Sequence, residues 1–281
     1  GVGRRMLQTF ESNVAFLLRF MIDHEITGAN WLEVKAGTFA VRPAAAHTSH
    51  CQCELDVVFD SLISHACEGE WNKIAPLRIL SFDIECMGRK GHFPEADQDP
   101  VIQIANVVKV QGQDVPAIRN VFTLDTCNPI VGAEVLSFRA ERDMLAKWAA
   151  FVRACDYDIL TGYNIQNFDV PYIFDRMNKL KLGGTDALCW GRIKGAKVRM
   201  RDTTFQSSAY GKRENKEATI DGRCMFDVLP YMFRNHKLSS YSLNAVSAEF
   251  LGQQKEDVHH SIISDLQRGS AEDRRRLAVY C

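Results

Sequence analysis

The stretch "LRILSFDIEC" (77–86) decides how the chain is read. It is apolar enough for a buried strand, yet it carries Asp83 and Glu85. A strand sends alternate side chains to opposite faces. Leu80, Phe82 and Ile84 therefore share one face, and Ser81, Asp83 and Glu85 share the other. Two neighbouring carboxylates in a strand that belongs in a core repel each other and lose hydration. A cation relieves both costs. Mg²⁺ and Mn²⁺ favour carboxylate and water ligands, and two such ions about 3.5–4 Å apart form a clamp for phosphodiester hydrolysis. That chemistry follows only if a third acid converges on the pair.

The third acid is sought in "TGYNIQNFDVPYIFDRM" (161–177). Val170, Ile173, Phe174 and Met177 repeat at helical spacing, so a helix starts near 170 with Pro171 in its first turn. Asp169 stands at that start, where the plain alternative is an N-cap. Farther on, Ser270 to Asp273 fits a capping box that opens a last helix, on which Leu277 and Tyr280 lie three apart. A tyrosine there is ordinarily a core or interface residue with its hydroxyl at the edge.

The rest of the chain bounds the answer. It has 281 residues, 46% hydrophobic and 25% charged, with a formal net charge of −1, so no global field recruits nucleic acid. No apolar stretch reaches a membrane span, and "GVGRRMLQTF" (1–10) lacks the apolar core of a secretory signal. The nine cysteines are scattered. His47, His50, Cys51 and Cys53 lie close together, but reduced thiols in a cytosolic or nuclear protein are the preferred reading over a zinc site. The polar, proline-ended "EGEWNKIAP" (68–76) marks a boundary. Before it come short strand-like runs and "VAFLLRFMI" (14–22), helix or strand by periodicity alone, read as core in preference to a partner-facing surface. The first 75 residues look like the tail of a domain whose start is missing. After the boundary, strands at 77–85, 101–110 and 119–125 precede a helix at 140–155 and a short strand in "YDILTGYN" (157–164). This order predicts a mixed sheet flanked by helices. The segment 192–223 holds nine Lys/Arg against four Asp/Glu. It is read as an extended basic hairpin, with an ordinary solvated loop as the alternative. Near a carboxylate site such a hairpin suits a phosphate backbone.

"SFDIEC", "GRKGHFPEADQDPVIQIA", "ILTGYNIQNFD", "SSYSLNAVSAEFLGQQKEDVHHSIISDLQ" and "RRRLAVYC", in that order, resemble the delta branch of the eukaryotic B-family replicative DNA polymerases. The resemblance covers most of 76–281 and continues more weakly upstream. It implies a 3′→5′ proofreading exonuclease domain of mixed α/β, ribonuclease-H-like fold over 76–281. A partial, mostly β segment of the N-terminal domain would precede it over 1–75, and the basic segment takes the place of the family's β-hairpin. Asp83, Glu85 and Asp169 would be metal ligands for two divalent cations, Mg²⁺ or Mn²⁺. Asn164 and Phe168 would lie near a single-stranded 3′ end, and Ser242, Leu243 and Val246 match a single-stranded-DNA motif. Tyr280 matches the tyrosine of the family's Tyr-x-x-x-Asp, orienting the attacking water; the aspartate falls beyond Cys281. The polymerase signatures are absent, so the expectation is an excised piece of a larger nuclear enzyme. Its remaining domains, accessory subunits, a sliding clamp and the primer's 3′ end would be its partners, with no membrane. The alternative for this form is a catalytically weak or inactive single-stranded-DNA-binding module. Residues 1–75 could also bind a partner.

Overall fold

The computed structural model describes residues 8–207, 211–253 and 258–281, with side chains described outside 204–215. Two compact units divide the chain. One runs up to His47 and includes Cys51–Ala75; the other combines Thr48–His50 with Pro76–Cys281.

The first unit contains helix α1 (Phe16–Asp23) and strands β1 (Trp31–Val34), β2 (Phe39–Val41), β3 (Leu55–Val57) and β4 (Leu62–His65). β1 pairs antiparallel with β4, and β2 with β3. The expectation that "VAFLLRFMI" is core is corrected here. α1 buries none of its residues, and Phe16, Leu17, Leu18 and Ile22 are each more than half exposed. Two-stranded ladders are too narrow to bury an amphipathic helix face.

The second unit is a mixed α/β fold. Its strands are β5 (Arg78–Cys86), β6 (Val101–Val110), β7 (Ile118–Leu124), β8 (Glu134–Phe138), β9 (Ile159–Gly162), β10 (Arg199–Ser207), β11 (Gly211–Thr219) and β12 (Cys224–Asp227). Its helices are α2 (Glu141–Ala154), α3 (Asp169–Lys179), α4 (Val228–Asn235), α5 (Leu243–Leu251), α6 (Ile263–Arg268) and α7 (Ala271–Tyr280). One sheet runs in the order β12-β9-β5-β6-β7-β8. β5, β6 and β7 form an antiparallel meander, while β9 is parallel to β5, β12 to β9 and β8 to β7. β10 and β11 pair antiparallel from Arg199↔Thr219 to Ser207↔Gly211. Their connection, 208–210, and the charges at 212 and 213 lie outside what is described.

The alternation read in β5 sets the layers. Leu80, Phe82 and Ile84 enter one core with Met144, Leu145 and Trp148 of α2 and Val170, Ile173 and Met177 of α3. A smaller core on the other side joins Ile102 to Leu266 of α6 and Leu277 of α7. Ile102 reaches it because the register jumps: Glu85 faces Gln103, but Cys86 faces Val101. Such a bulge breaks the two-residue alternation. Val101 and Ile104 thus keep to the larger core, while Ile102 joins the smaller one and Gln103 donates from Nε2 to the Arg274 carbonyl of α7 at 3.0 Å.

α3 is held by a buried ion pair. Arg176 donates from Nε and Nη2 to the two Glu141 oxygens at 2.8 and 2.7 Å, and Glu141 also accepts the Val101 N–H at 2.8 Å. One carboxylate therefore ties the start of α2, the start of β6 and the face of α3. This bidentate contact holds the Arg176 guanidinium above its ordinary pKa.

β9 leaves β5 early. Their register ends at Ser81↔Thr161, and Gly162 then turns the chain away. A Cβ at Gly162 would sit 2.8 Å from the Phe82 carbonyl oxygen and 2.4 Å from Ile165 Cγ2, so only glycine fits this crossing. Gly162→Ala is expected to destabilise the second unit by about 1–3 kcal/mol, as overpacking does. The measurement is the urea midpoint of its unfolding; an unchanged midpoint would show that the crossing relaxes freely.

Candidate metal centre and its cleft

Asp83 and Glu85 lie on the same face of β5, as alternation requires. Glu85 is buried and Asp83 half-buried. Ligand atoms of Asp83, Glu85 and Cys281 lie within 4.8 Å of one another, the one such group among the described residues. It does not include His47, His50, Cys51 or Cys53. The Cys281 thiol also donates to the Asp83 carbonyl at 3.5 Å.

Asp169 arrives from a distant part of the chain. Where β9 has departed, the Ile84 N–H has lost its natural strand partner. It donates instead to Asp169 Oδ1 at 3.1 Å. The plain capping role is thereby displaced: Phe168 occupies the N-cap position without a side-chain bond, and Asp169 is the first residue of α3. The Asp169 carboxyl also neighbours that of Asp83. Burial first, then the Asp83 charge, pushes the Asp169 carboxyl well above the usual carboxylate range, against the Ile84 N–H, which stabilises its ionised form.

The donor set fits a hard divalent cation. Asp83 neighbours Glu85 on its own strand and Asp169 on α3, although Asp169 does not enter the 4.8 Å group that Asp83 and Glu85 form with Cys281. Glu85 and Asp169 are buried and Asp83 half-buried, and burial followed by the Asp83 charge raises the pKa of the Asp169 carboxyl. Oxygen-rich, anionic and compact, the set suits Mg²⁺ or Mn²⁺ by ligand type.

Beside the acids lies a cleft of about 640 Å³. Asp83, Tyr280, Leu243 and Val246 line it, together with Tyr163 and Phe250. Tyr280 reaches it from α7, whose capping box of Ser270 and Asp273 is formed as the sequence expects. Glu85, Asp169, Asn164, Phe168 and Ser242 lie outside this lining. The Ser242 hydroxyl caps α5 by accepting the Ala245 N–H at 3.3 Å, which sets Leu243 at the helix start. Phe168 packs edge-on against Phe93, with ring centres 5.5 Å apart. Asn164 adopts a left-handed backbone, φ 64°, a conformation asparagine tolerates better than most residues.

Three participants escape a linear reading. Cys281 joins the acids only through the docking of α7. Gly162 is legible as a turn residue but not as a close crossing. Asp227 precedes "VLP", an N-cap signal for α4, yet it also accepts the N–H groups of Asn164 and Gln166.

A family model described as DNA polymerase family B, exonuclease domain, matches residues 7–246. The chain is 58% identical over its full length to a DNA polymerase delta catalytic subunit from Oryza sativa subsp. japonica, covering 25% of that protein. It is 52% identical over its full length to the Schizosaccharomyces pombe protein of the same name, again covering 25%, and 50% identical to that of Bos taurus. The chain spans about a quarter of the length of these relatives. The delta resemblance read from the motifs therefore extends over all 281 residues in plant, fungal and animal proteins alike. The chain belongs to the exonuclease-domain family of the B-family DNA polymerases.

Proposed function

We propose that this chain is the proofreading 3′→5′ exonuclease region of a delta-type replicative polymerase, releasing mononucleotides from mispaired single-stranded 3′ ends. The observation that supports this is the placing of Asp169, its Oδ1 on the Ile84 N–H, beside the Asp83–Glu85 pair of β5 and next to an open cleft. The sheet, an antiparallel meander followed by two strands parallel to β5, is read as ribonuclease-H-like. Residues 76–281 are then the exonuclease domain and 1–75 the end of the N-terminal domain.

In this reading Asp83, Glu85 and Asp169 hold two divalent cations. When bound, such ions acidify a coordinated water and offset charge on the leaving 3′ oxygen. Tyr280, on the cleft wall, orients the attacking water through its hydroxyl. Leu243 and Val246 give the terminal nucleotide an apolar surface, and Ser242 holds Leu243 in place by capping α5. Asn164 and Phe168 stand at the loop before Asp169, on the approach of the strand. The β10–β11 ladder helps part primer from template. Mispaired ends are preferred because they melt more readily into a single-strand site. The remaining polymerase domains, accessory subunits and a sliding clamp are the partners, and the nucleus the place of action. No helix among the described residues is long and apolar enough to cross a membrane.

Two outcomes test this. In the full-length protein, Asp83→Ala with Glu85→Ala should lower Mg²⁺-dependent release of mononucleotides from a labelled single strand by about 10³-fold or more, the scale of losing the charge stabilisation that metals supply. Undiminished release would refute the assigned roles. Asp169→Asn keeps an acceptor for Ile84 and a donor for Asp83 but removes the buried charge. The metal-free variant should melt about 2–4 °C higher at neutral pH, the shift expected from about 1 kcal/mol in a domain of this size. Millimolar Mn²⁺ should raise the melting temperature of the wild type and leave that of the variant unmoved. An equal Mn²⁺ shift in both would remove Asp169 from the metal site.

A further inference from the structure

Asp227 ends β12 directly opposite Gly162 of β9, in register with the point where β9 turns away. It is buried, and no ion-pair partner for it is found among the described residues. Its carboxylate is nevertheless fully engaged. Oδ1 accepts the Asn164 N–H at 2.8 Å and the Leu229 N–H at 3.0 Å; Oδ2 accepts the Gln166 N–H at 2.9 Å. Capping α4 needs only one oxygen and one of these bonds. The other two bonds go to the six-residue turn, 163–168, that joins Gly162 to Asp169.

The turn is also held by the Tyr163 hydroxyl on the Tyr241 carbonyl, the Lys216 N–H on Asn167 Oδ1 and the buried Ile165 side chain, while Asp227 takes two of its backbone N–H groups. Asn164 is in the left-handed region, and its carbonyl accepts the Phe168 N–H at 3.1 Å. Val170, in the first turn of α3, returns its N–H to the Ile165 carbonyl at 2.9 Å. Asn164 and Ile165 therefore anchor the start of α3, and the Asn164 N–H is held by Asp227. We propose that Asp227 is a positioning residue: its carboxylate fixes the 163–168 turn and, through it, the place of Asp169 beside Asp83. The consequence for metal binding rests on the proposed function; the holding of the turn does not.

Asparagine separates this role from capping. Asn is as good an N-cap as Asp, so Asp227→Asn keeps the Leu229 bond and the start of α4. Its amide, however, turns an N–H₂ toward a backbone N–H of the turn, which breaks one bond and removes the charge from the other. Hydrogen bonds to charged groups are stronger than neutral ones, so losing one shifts the opening equilibrium of the turn by about tenfold.

In the full-length protein, Asp227→Asn is expected to speed amide hydrogen exchange in peptides covering 163–168 by about tenfold. Peptides from α4 and from β5–β7 should stay within about twofold. Mn²⁺ affinity, measured by titration calorimetry, should fall about fivefold or more, with kcat for single-strand degradation lowered and KM for the oligonucleotide nearly unchanged. Asp227→Ser, which keeps a capping oxygen but lacks the second, should do the same. Unchanged exchange in the turn overturns the proposal, as does unchanged Mn²⁺ affinity when the turn has loosened. Loss of protection throughout β5–β7 in both variants also overturns it, because Asp227 would then be a general stability residue. If the wild type releases no nucleotides, the proposed function fails, while the exchange and Mn²⁺ measurements still decide the role of Asp227.

Discussion

One backbone N–H organises the candidate site. Ile84 lies in a central strand, where a neighbouring strand would ordinarily take its N–H. β9 cannot, because its pairing with β5 ends at Ser81↔Thr161. A buried N–H left unpaired costs about 1–3 kcal/mol, so some acceptor must come to it. Asp169 is that acceptor. A neutral side chain would satisfy Ile84 as well and would avoid both the burial of a charge and the repulsion from Asp83. The sheet thus requires an acceptor at this point, but nothing in its stability requires an acid. An acid retained where it raises the energy of the fold is what a working site looks like, and its shifted titration reports the same conflict.

The two sides of the sheet deliver different parts. α3, packed in the larger core, brings Asp169 to the open edge of β5. α7, packed on the opposite side, brings Tyr280 to the cleft and Cys281 to the acids. The bulge opposite Glu85 and Cys86 serves the second delivery. By turning Ile102 and Gln103 to the same side, it gives α7 both an apolar contact and a bond to its Arg274 carbonyl. Arg274 in turn donates to the Gln267 and Gly269 carbonyls, closing the corner between α6 and α7. Active-site strands often carry such bulges because a one-residue slip re-aims side chains without moving the strand.

The local features were legible in the sequence. The faces of β5, the helical spacing of α2 and α3, and the capping box of α7 are each set by residues a few positions apart. Asp169 was only half legible. Its position predicts a cap; its actual bond is to a residue 85 positions away. Asp227 was legible as a cap and invisible as a clamp, since its other partners lie 61 and 63 residues earlier. α1 fails in the opposite way: its apolar periodicity is real, but periodicity does not say what covers the face. Asn164 carries two explanations at once. The family resemblance assigns it to the DNA strand, while its left-handed backbone gives asparagine a conformational reason to be there.

Asp227 also lies on a continuous path. β12 follows β11 after only residues 220–223, so the strand that ends in Asp227 continues the second strand of the hairpin. This strand is a path from the hairpin to Asp169, but continuity alone is not coupling; that needs an element with two arrangements. The hairpin's base argues against one. The Arg223 side chain is fully buried, donating to Asp156 at 2.6 Å and stacked over the Tyr157 ring. Arg192 bridges Asp156 and Asp158 at 3.1 and 2.6 Å, and its backbone N–H bonds to Asp221. Moving the base would strip a buried cation of its partner, at a cost of several kcal/mol. The base is therefore held in place, and the hairpin also meets the turn before Asp169 directly, through the Lys216 N–H on Asn167 Oδ1 at 3.2 Å.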